Sequence, residues 1–251
     1  MRNAVQLSGY VEIKDHFDVI VIGGGTAGSI AGAAAARQGA DTLIIESENA
    51  LGGTSTVGQV TPMMPVKMDG NPDSSAFNKE IKQRLKQEGY CAEDSNGNDG
   101  WFNPEMLKHT LEDMVLEYDA DLILDTEFIQ PVVDKGKIQS IIVHNKNGLY
   151  AYTADQFIDA TGEALVAYRA NAPCKAGYEE GKYQAVSLRF TVGNIDLKKF
   201  TQFLKDLGQN YGLEYPLIET AMVWDQGFAL EKVFKKALKN GDIKKEDGKY
   251  F

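Results

Sequence analysis

The run Asp18-Val-Ile-Val-Ile22 is apolar at every position after the aspartate, the pattern of a strand covered on both faces of a parallel sheet. Glycines follow at once, and an Ala-rich stretch from Ala27 to Gln38 reads as a helix stopped by Gly39. Thr42-Leu-Ile-Ile45 supplies a second strand, ending at Glu46. The three elements span about thirty residues, the size of a βαβ crossover. Pro62, Pro65, Gly70 and Pro72 then mark a loop. Phe77, Ile81 and Leu85 fall four apart and predict an amphipathic helix that Gly89 ends. The polar stretch Glu93 to Gly100 is expected to be exposed. Asn103-Pro104 reads as cap and first position of another helix, striped by Leu107, Leu111, Met114, Val115 and Tyr118.

From residue 121 the period shortens. Strands are predicted near Leu122–Leu124, Phe128–Val133, Ile138–His144 and Leu149–Thr153, with hairpin signals at Lys135-Gly136 and Asn147-Gly148. Phe157-Ile-Asp-Ala160 is a further apolar strand running into Thr161-Gly162. After a connecting helix, Val186 to Val192 alternates like a strand with one buried face. Asp196 caps a helix with Leu197, Phe200, Leu204 and Leu207 inward and Gly208 at its end. Leu230, Val233, Phe234 and Ala237 mark a last helix closed by Gly241. The fold class is α/β.

Composition narrows what such a chain can do. Its 251 residues suffice for one large domain or one and a half. With 26 basic against 36 acidic residues, the net charge of −10 repels phosphate backbones and argues against a nucleic-acid partner. The eighteen uncharged residues between Asp18 and Arg37 approach the length of a membrane span, but Gly and Ala dominate them and three consecutive glycines break the run. No membrane partner is expected. Glu12, Lys14 and Asp15 stand where a signal peptide would need an apolar core. Cys91 and Cys174 form no C-x-x-C pair, which suits a reducing, cytoplasmic setting.

The glycines carry the chemistry. Gly23-x-Gly25-x-x-Gly28 leaves the first strand and opens the helix. The first glycine permits a tight turn, the second lets backbone approach a pyrophosphate, the third packs helix against strand, and the helix N-terminus holds the negative charge. Glu46, about twenty residues on, stands where a carboxylate accepts hydrogen bonds from a ribose. These residues point to a dinucleotide without saying which; the alternative is a turn that binds nothing.

Leu51-Gly52-Gly53-Thr54 resembles the second glycine turn of FAD-binding flavoproteins related to glutathione reductase. Phe157-Ile-Asp-Ala-Thr-Gly-Glu-Ala164 resembles the "ATG" motif of the same superfamily, most closely the FAD-dependent oxidoreductases whose motif reads I-D-A-T-G-D. The resemblance covers residues 17 to 195. It implies a Rossmann-type FAD-binding domain with a β-meander at 1–175, a partial α+β substrate domain at 176–251, and hydride or electron transfer between a small-molecule substrate and FAD. Carried over, it puts Gly23, Gly25, Thr26, Ala27 and Gly28 at the pyrophosphate and Glu46 at the adenosine ribose. Gly52, Gly53 and Thr54 would lie along the FAD, the backbone near Phe128 would meet the adenine, and Ala160, Thr161 and Gly162 would sit beside the phosphates.

The sequence also departs from its relatives. Disulfide-reducing flavoproteins carry two cysteines just after the L-G-G-T turn, where this chain has Ser55 and Gln59 nearby, so dithiol chemistry is not expected. None of His16, His109 and His144 falls where related enzymes attach FAD covalently, so the FAD is expected to be non-covalent. The family's closing Gly-Asp segment is matched only by Gly241-Asp242, which no apolar strand precedes. We therefore expect a truncated chain, or half of a split enzyme, associating with a second copy or a second polypeptide. A non-catalytic subunit keeping only the ADP-binding part is the alternative function. The L-G-G-T turn argues against a NAD-dependent dehydrogenase. Asp94 to Glu105 approaches a calcium loop, but Asp99 takes the place of the required glycine, and a solvated loop is expected instead. His109, His144 and the C-terminal lysines read as surface. Arg189 is a weak candidate for holding a substrate carboxylate, and no acid, base or thiol stands out as catalytic.

Overall fold

The computed structural model describes residues 9–61, 63, 76–93, 99–177, 183, 192–208 and 230–246. Residues 186–191 of the expected strand with Arg189, the loop positions 94–98, and Pro62, Pro65, Gly70 and Pro72 lie outside them. The chain divides into two compact units, Met1–Val60 with Pro104–Leu188, and Thr61–Asn103 with Arg189–Phe251.

The first unit is built on a six-stranded sheet. Its strands are β1 (Glu12–Ile22), β2 (Thr42–Ile45), β5 (Asp121–Ile123), β6 (Glu127–Asp134), β7 (Lys137–Asn145) and β8 (Gly148–Asp159), ordered β5-β2-β1-β8-β7-β6. β5, β2, β1 and β8 run parallel; β6 and β7 complete an antiparallel meander with β8. Helix α1 (Thr26–Arg37) joins β1 to β2, and α3 (Pro104–Glu117) precedes β5. Both strands of the opening unit are buried throughout the β1–β2 pairing except at Val19, as their unbroken apolar runs require. α1 ends as its glycine predicts. Gly39, at φ +87°, donates to the Ala36 carbonyl, while the Ala40 N–H reaches Ala35, a Schellman closure.

Two elements differ from expectation. β1 begins six residues before the apolar run, because Glu12 to Phe17 pair with Tyr150 to Ala154 of β8. Those added residues are exposed up to His16 and carry no strand pattern. They are held by backbone pairing and by contacts such as Lys14 over the Tyr150 ring. The two strands expected at Leu149–Thr153 and Phe157–Ala160 are one continuous β8. Asp155 and Gln156 look like a break, yet they are exposed positions of a strand paired along its length with β1.

The second unit contains α2 (Ala76–Gln87), the short antiparallel pair β3 (Cys91–Ala92) and β4 (Trp101–Phe102), α5 (Leu197–Asp206) and α6 (Glu231–Asn240). Trp101, Leu204 and Leu230 form its buried cluster, flanked by Phe200, Leu207 and Phe234. Asp196 caps α5 as expected, accepting from the Lys199 N–H at 3.1 Å. Asp99 and Gly100 are not exposed as the polar stretch suggested. Gly100 is buried, and the Asp99 carboxylate meets Lys82 at 2.7 Å and Lys86 at 3.4 Å. Burial alone would push the Asp99 carboxyl up, but the Lys82 hydrogen bond and the charges of Lys82 and Lys86 outweigh it and hold it below its usual range. The stability this contributes is present above the unfolded carboxyl's pKa of about 3.9 and is lost as pH falls through the lower folded value. Acid unfolding of Asp99→Asn, followed by circular dichroism, is therefore expected to show a shallower loss of stability below about pH 4 than the wild type.

Among the described residues no helix is long and apolar enough to cross a membrane.

Candidate functional site

Three turns meet at the C-terminal ends of β1, β2 and β8. In the first, Gly23 stands at φ +95°, its N–H on the Ile45 carbonyl at 2.8 Å. A Cβ there would come within 2.5 Å of the Ala160 carbonyl oxygen, so both the turn and the neighbouring segment demand glycine. A Cβ on Gly28 would collide with the Gly23 carbonyl, and one on Gly32 with the Ile44 side chain of β2. The close packing expected of Gly28 alone is thus shared. Gly28 packs on the loop, and Gly32 packs the helix on the strand.

Gly25 is different. A Cβ there would meet no atom within 4 Å. It caps α1 without a side-chain bond, no acidic residue lies in the first turn, and Thr26 and Ala27 are exposed. The first intrahelical bond at this end runs from the Ser29 N–H to the Gly25 carbonyl, leaving the N–H groups of Thr26, Ala27 and Gly28 without a carbonyl partner among the described residues. Open space before free amides at the positive end of a twelve-residue helix is suited to an anion.

The second turn is fastened to the first. Gly52, at φ +95°, donates its N–H to the Gly24 carbonyl at 2.9 Å, and its own carbonyl accepts from Thr26 Oγ1 at 3.0 Å. A Cβ on Gly53 would stand 3.0 Å from Gly25 Cα, so the two turns lie in close contact. Thr54 is exposed beside them, and buried Thr56 closes the loop by donating to the Leu51 carbonyl.

Glu46 is only 7% exposed and holds this arrangement from below. Oε2 accepts from the Gly24 N–H at 2.5 Å; Oε1 accepts from Ser47 Oγ at 3.0 Å and the Glu48 N–H at 2.8 Å. A carboxylate has about four acceptor sites, so about one remains for a hydroxyl. Its backbone carbonyl accepts from the Thr126 N–H at 3.0 Å, which brings the start of β6 alongside. The Phe128 ring is buried in the core, with Arg169 5.7 Å from its centroid and reaching the Phe128 carbonyl at 3.5 Å.

The third turn follows β8. Ala160 donates to the Ile22 carbonyl at 2.9 Å and abuts Gly23 and Gly28. Thr161 and Gly162 lead into α4 (Leu165–Arg169), with Gly162 at φ +79°. The structure therefore gathers Gly23, Gly25, Thr26, Ala27, Gly28, Gly52, Gly53 and Ala160 at one place, with Glu46 bound to Gly24 and Thr54, Thr161 and Gly162 on the adjoining turns. Phe128 lies two residues past the Thr126 bond. Sequence reasoning passed over Gly24, where a Cβ would come within 2.5 Å of Leu51 Cδ2, and Asp159, which folds the third turn. The unbroken Gly23-Gly-Gly25 run was the available sign of the first.

The profile of FAD-dependent oxidoreductases matches residues 18–246. The chain belongs to the FAD-dependent oxidoreductase family. FAD is the cofactor of that family, and the residues present fit its ADP half: an anion space at α1, a carboxylate at the end of β2, and glycines wherever backbone must come close. The chain is also similar to digeranylgeranylglycerophospholipid reductase 2 of Methanococcoides burtonii, 36% identical over 70 residues, 28% of this chain and 17% of that protein. Among solved structures, a flavoprotein/dehydrogenase from Cytophaga hutchinsonii superposes with a TM-score of 0.48 at 18% identity, covering 65% of this chain and 44% of that one. A geranylgeranyl bacteriochlorophyll reductase-like protein from Thermoplasma acidophilum gives 0.44 at 20% identity, with 62% and 42% covered. The myxobacterial chondrochloren halogenase gives 0.46 at 18%, with 60% and 38% covered. The chain thus spans less than half the length of each of these relatives.

Outside the three turns, His109 and His144 are exposed, His109 lying 3.6 Å from Asp113. The Cys91 thiol, raised by burial, donates to the Asp99 carbonyl at 3.1 Å. Among the described residues no three His, Cys, Asp or Glu gather to hold a metal ion.

Proposed function

We propose that this chain binds FAD non-covalently at the three turns and serves an oxidoreductase that moves hydride or electrons between a small-molecule substrate and the flavin. The observation that carries the reading is the open space at Gly25, faced by the free amides of α1 and fastened to the Gly52 turn by two reciprocal hydrogen bonds. In this reading the pyrophosphate lies at Gly23, Gly25, Thr26, Ala27 and Gly28, the ribose at Glu46, and the adenine at the backbone near Phe128. Gly52, Gly53, Thr54, Ala160, Thr161 and Gly162 line the remainder. The cofactor domain expected at 1–175 gives up residues 61–103 to the second compact unit, which together with the C-terminal residues of the expected 176–251 domain contributes to substrate binding. The isoalloxazine ring supplies the redox chemistry when FAD is bound; this chain supplies binding and orientation. A cytoplasmic location goes with the reading, supported by the free thiols of Cys91 and Cys174. Association with a second copy or a second polypeptide is part of the same proposal.

The test is an absorbance scan of the purified chain from about 300 to 550 nm before and after heat denaturation, with FAD added where none co-purifies. Flavin bands that pass into the supernatant on heating are the expected result. A chain that stays colourless with added FAD yet binds ADP would overturn it in favour of a non-catalytic, ADP-binding subunit.

A further inference from the structure

Asp159 is the last residue of β8, and both its carboxylate oxygens are committed to the turn that follows. Oδ1 accepts from the Thr161 N–H at 3.2 Å and from Thr161 Oγ1 at 2.7 Å. Oδ2 accepts from the Ala167 N–H at 2.9 Å, inside α4. Thr161 Oγ1, its single proton given to Asp159, in turn accepts from the Leu165 N–H at 2.8 Å. Two side chains thus close four hydrogen bonds around residues 161–167. They hold a backbone that bends through two positive φ angles, +79° at Gly162 and +54° at Ala164, the second uncommon for a residue with a Cβ. The same turn begins at Ala160, whose carbonyl limits Gly23 to glycine and whose methyl faces Gly28.

We propose that Asp159, acting through Thr161, is a positioning residue that sets the third wall of the cofactor site, and that the Thr161 hydroxyl serves this turn and not the cofactor. The inference rests on the FAD reading above and names how one part of that site is held. A carboxylate is needed because Asn at 159 offers one acceptor oxygen and one NH2, and either orientation sets a donor against Thr161 or against the Ala167 N–H. Serine at 161 keeps the hydroxyl; valine at 161 has the shape without the bonds.

The test uses Asp159→Asn, Thr161→Val, Thr161→Ser and the Asp159→Asn/Thr161→Val double variant, with two readouts. Amide hydrogen exchange at Leu165 and Ala167 in the cofactor-free chain reports the turn itself. FAD titration by flavin fluorescence reports the site. Asp159→Asn and Thr161→Val are each expected to speed exchange and to weaken FAD about tenfold, with the double variant no worse than the weaker single, since all remove one network. Thr161→Ser should stay within about twofold of wild type, a rescue that loss of packing would not give. Should Asp159→Asn fail to fold, the contrast between Thr161→Val and Thr161→Ser decides alone. Undiminished FAD binding by a folded Asp159→Asn, or a Thr161→Ser as weak as Thr161→Val, overturns the proposal. A wild-type chain that takes up no FAD overturns the FAD reading instead, and unchanged exchange would then show that the turn is not held by Asp159 either.

Discussion

Gly28→Ala is expected to yield a protein without flavin and with a thermal midpoint lower by roughly 10 °C, whereas Gly25→Ala is expected to keep its midpoint and lose most of its FAD affinity. The two glycines stand three residues apart in one motif and meet opposite surroundings. At Gly28 the added methyl would collide with the Gly23 carbonyl, a backbone atom fixed by the Gly23 hydrogen bond to Ile45, and would also crowd the Ala160 methyl. Neither neighbour can rotate away, so α1 must lift from the turn. Overpacking against backbone of this kind costs about 3 kcal/mol or more, and for a chain of this size each kcal/mol moves the midpoint about 2–4 °C. At Gly25 the methyl would enter open space at φ −64°, and nothing in the cofactor-free chain opposes it. The same methyl would occupy the space in front of the free α1 amides. If the pyrophosphate belongs there, the affinity loss should reach about 100-fold, or near 3 kcal/mol. Thermal melts monitored at 222 nm, beside FAD titrations, separate the outcomes. A Gly25→Ala variant that binds FAD like the wild type would move the pyrophosphate elsewhere.

That contrast also marks how far the sequence alone reaches. The βαβ unit and its glycine spacing were legible because each element follows from short-range chemistry: an unbroken apolar run, a glycine turn, a helix closed at Gly39. The helix that starts at Pro104 and the one capped by Asp196 were legible for the same reason. What escaped depends on partners distant in the chain. Glu12 to His16 are exposed and, apart from Ile13, polar, and become strand only because β8 lies beside them, about 140 positions away in sequence. Asp155 and Gln156 interrupt a pattern but not a strand, since β1 pairs across them. In the site, the motif gave Gly25 to the pyrophosphate and Gly28 to packing; only the folded chain shows that Gly28 packs on the Gly23 carbonyl while Gly32 takes the contact with β2. Asp159 was read as part of a strand and Thr161 as a cofactor neighbour, while the bonds between them organise the turn. Hydrogen-bond partners within a loop carry no periodicity, so no hydrophobic pattern could have announced them.

Glu46→Gln is the second large effect, and it tests the ribose end. The carboxylate is nearly enclosed and receives three donors, two of them backbone N–H groups on opposite oxygens. Glutamine keeps the shape but replaces one oxygen with NH2. In one orientation that NH2 faces the Gly24 N–H; in the other it faces the Glu48 N–H. Either leaves a backbone donor without an acceptor beside a new donor, and the surviving bonds lose their ionic partner. Hydrogen bonds to a charged group are worth about 1.5–3 kcal/mol, so the FAD-free chain should lose about 2–3 kcal/mol in urea unfolding. Because the Gly24 N–H anchors the turn that also holds Gly52, loosening it disturbs the phosphate space and the ribose contact together. FAD and ADP should then both weaken, by about 100-fold and to the same degree, since the ribose and pyrophosphate are common to the two ligands. Loss of stability with ligand binding intact would make Glu46 a brace for the glycine turn alone. Weaker FAD with unchanged ADP would instead place the carboxylate's influence beyond the adenosine half.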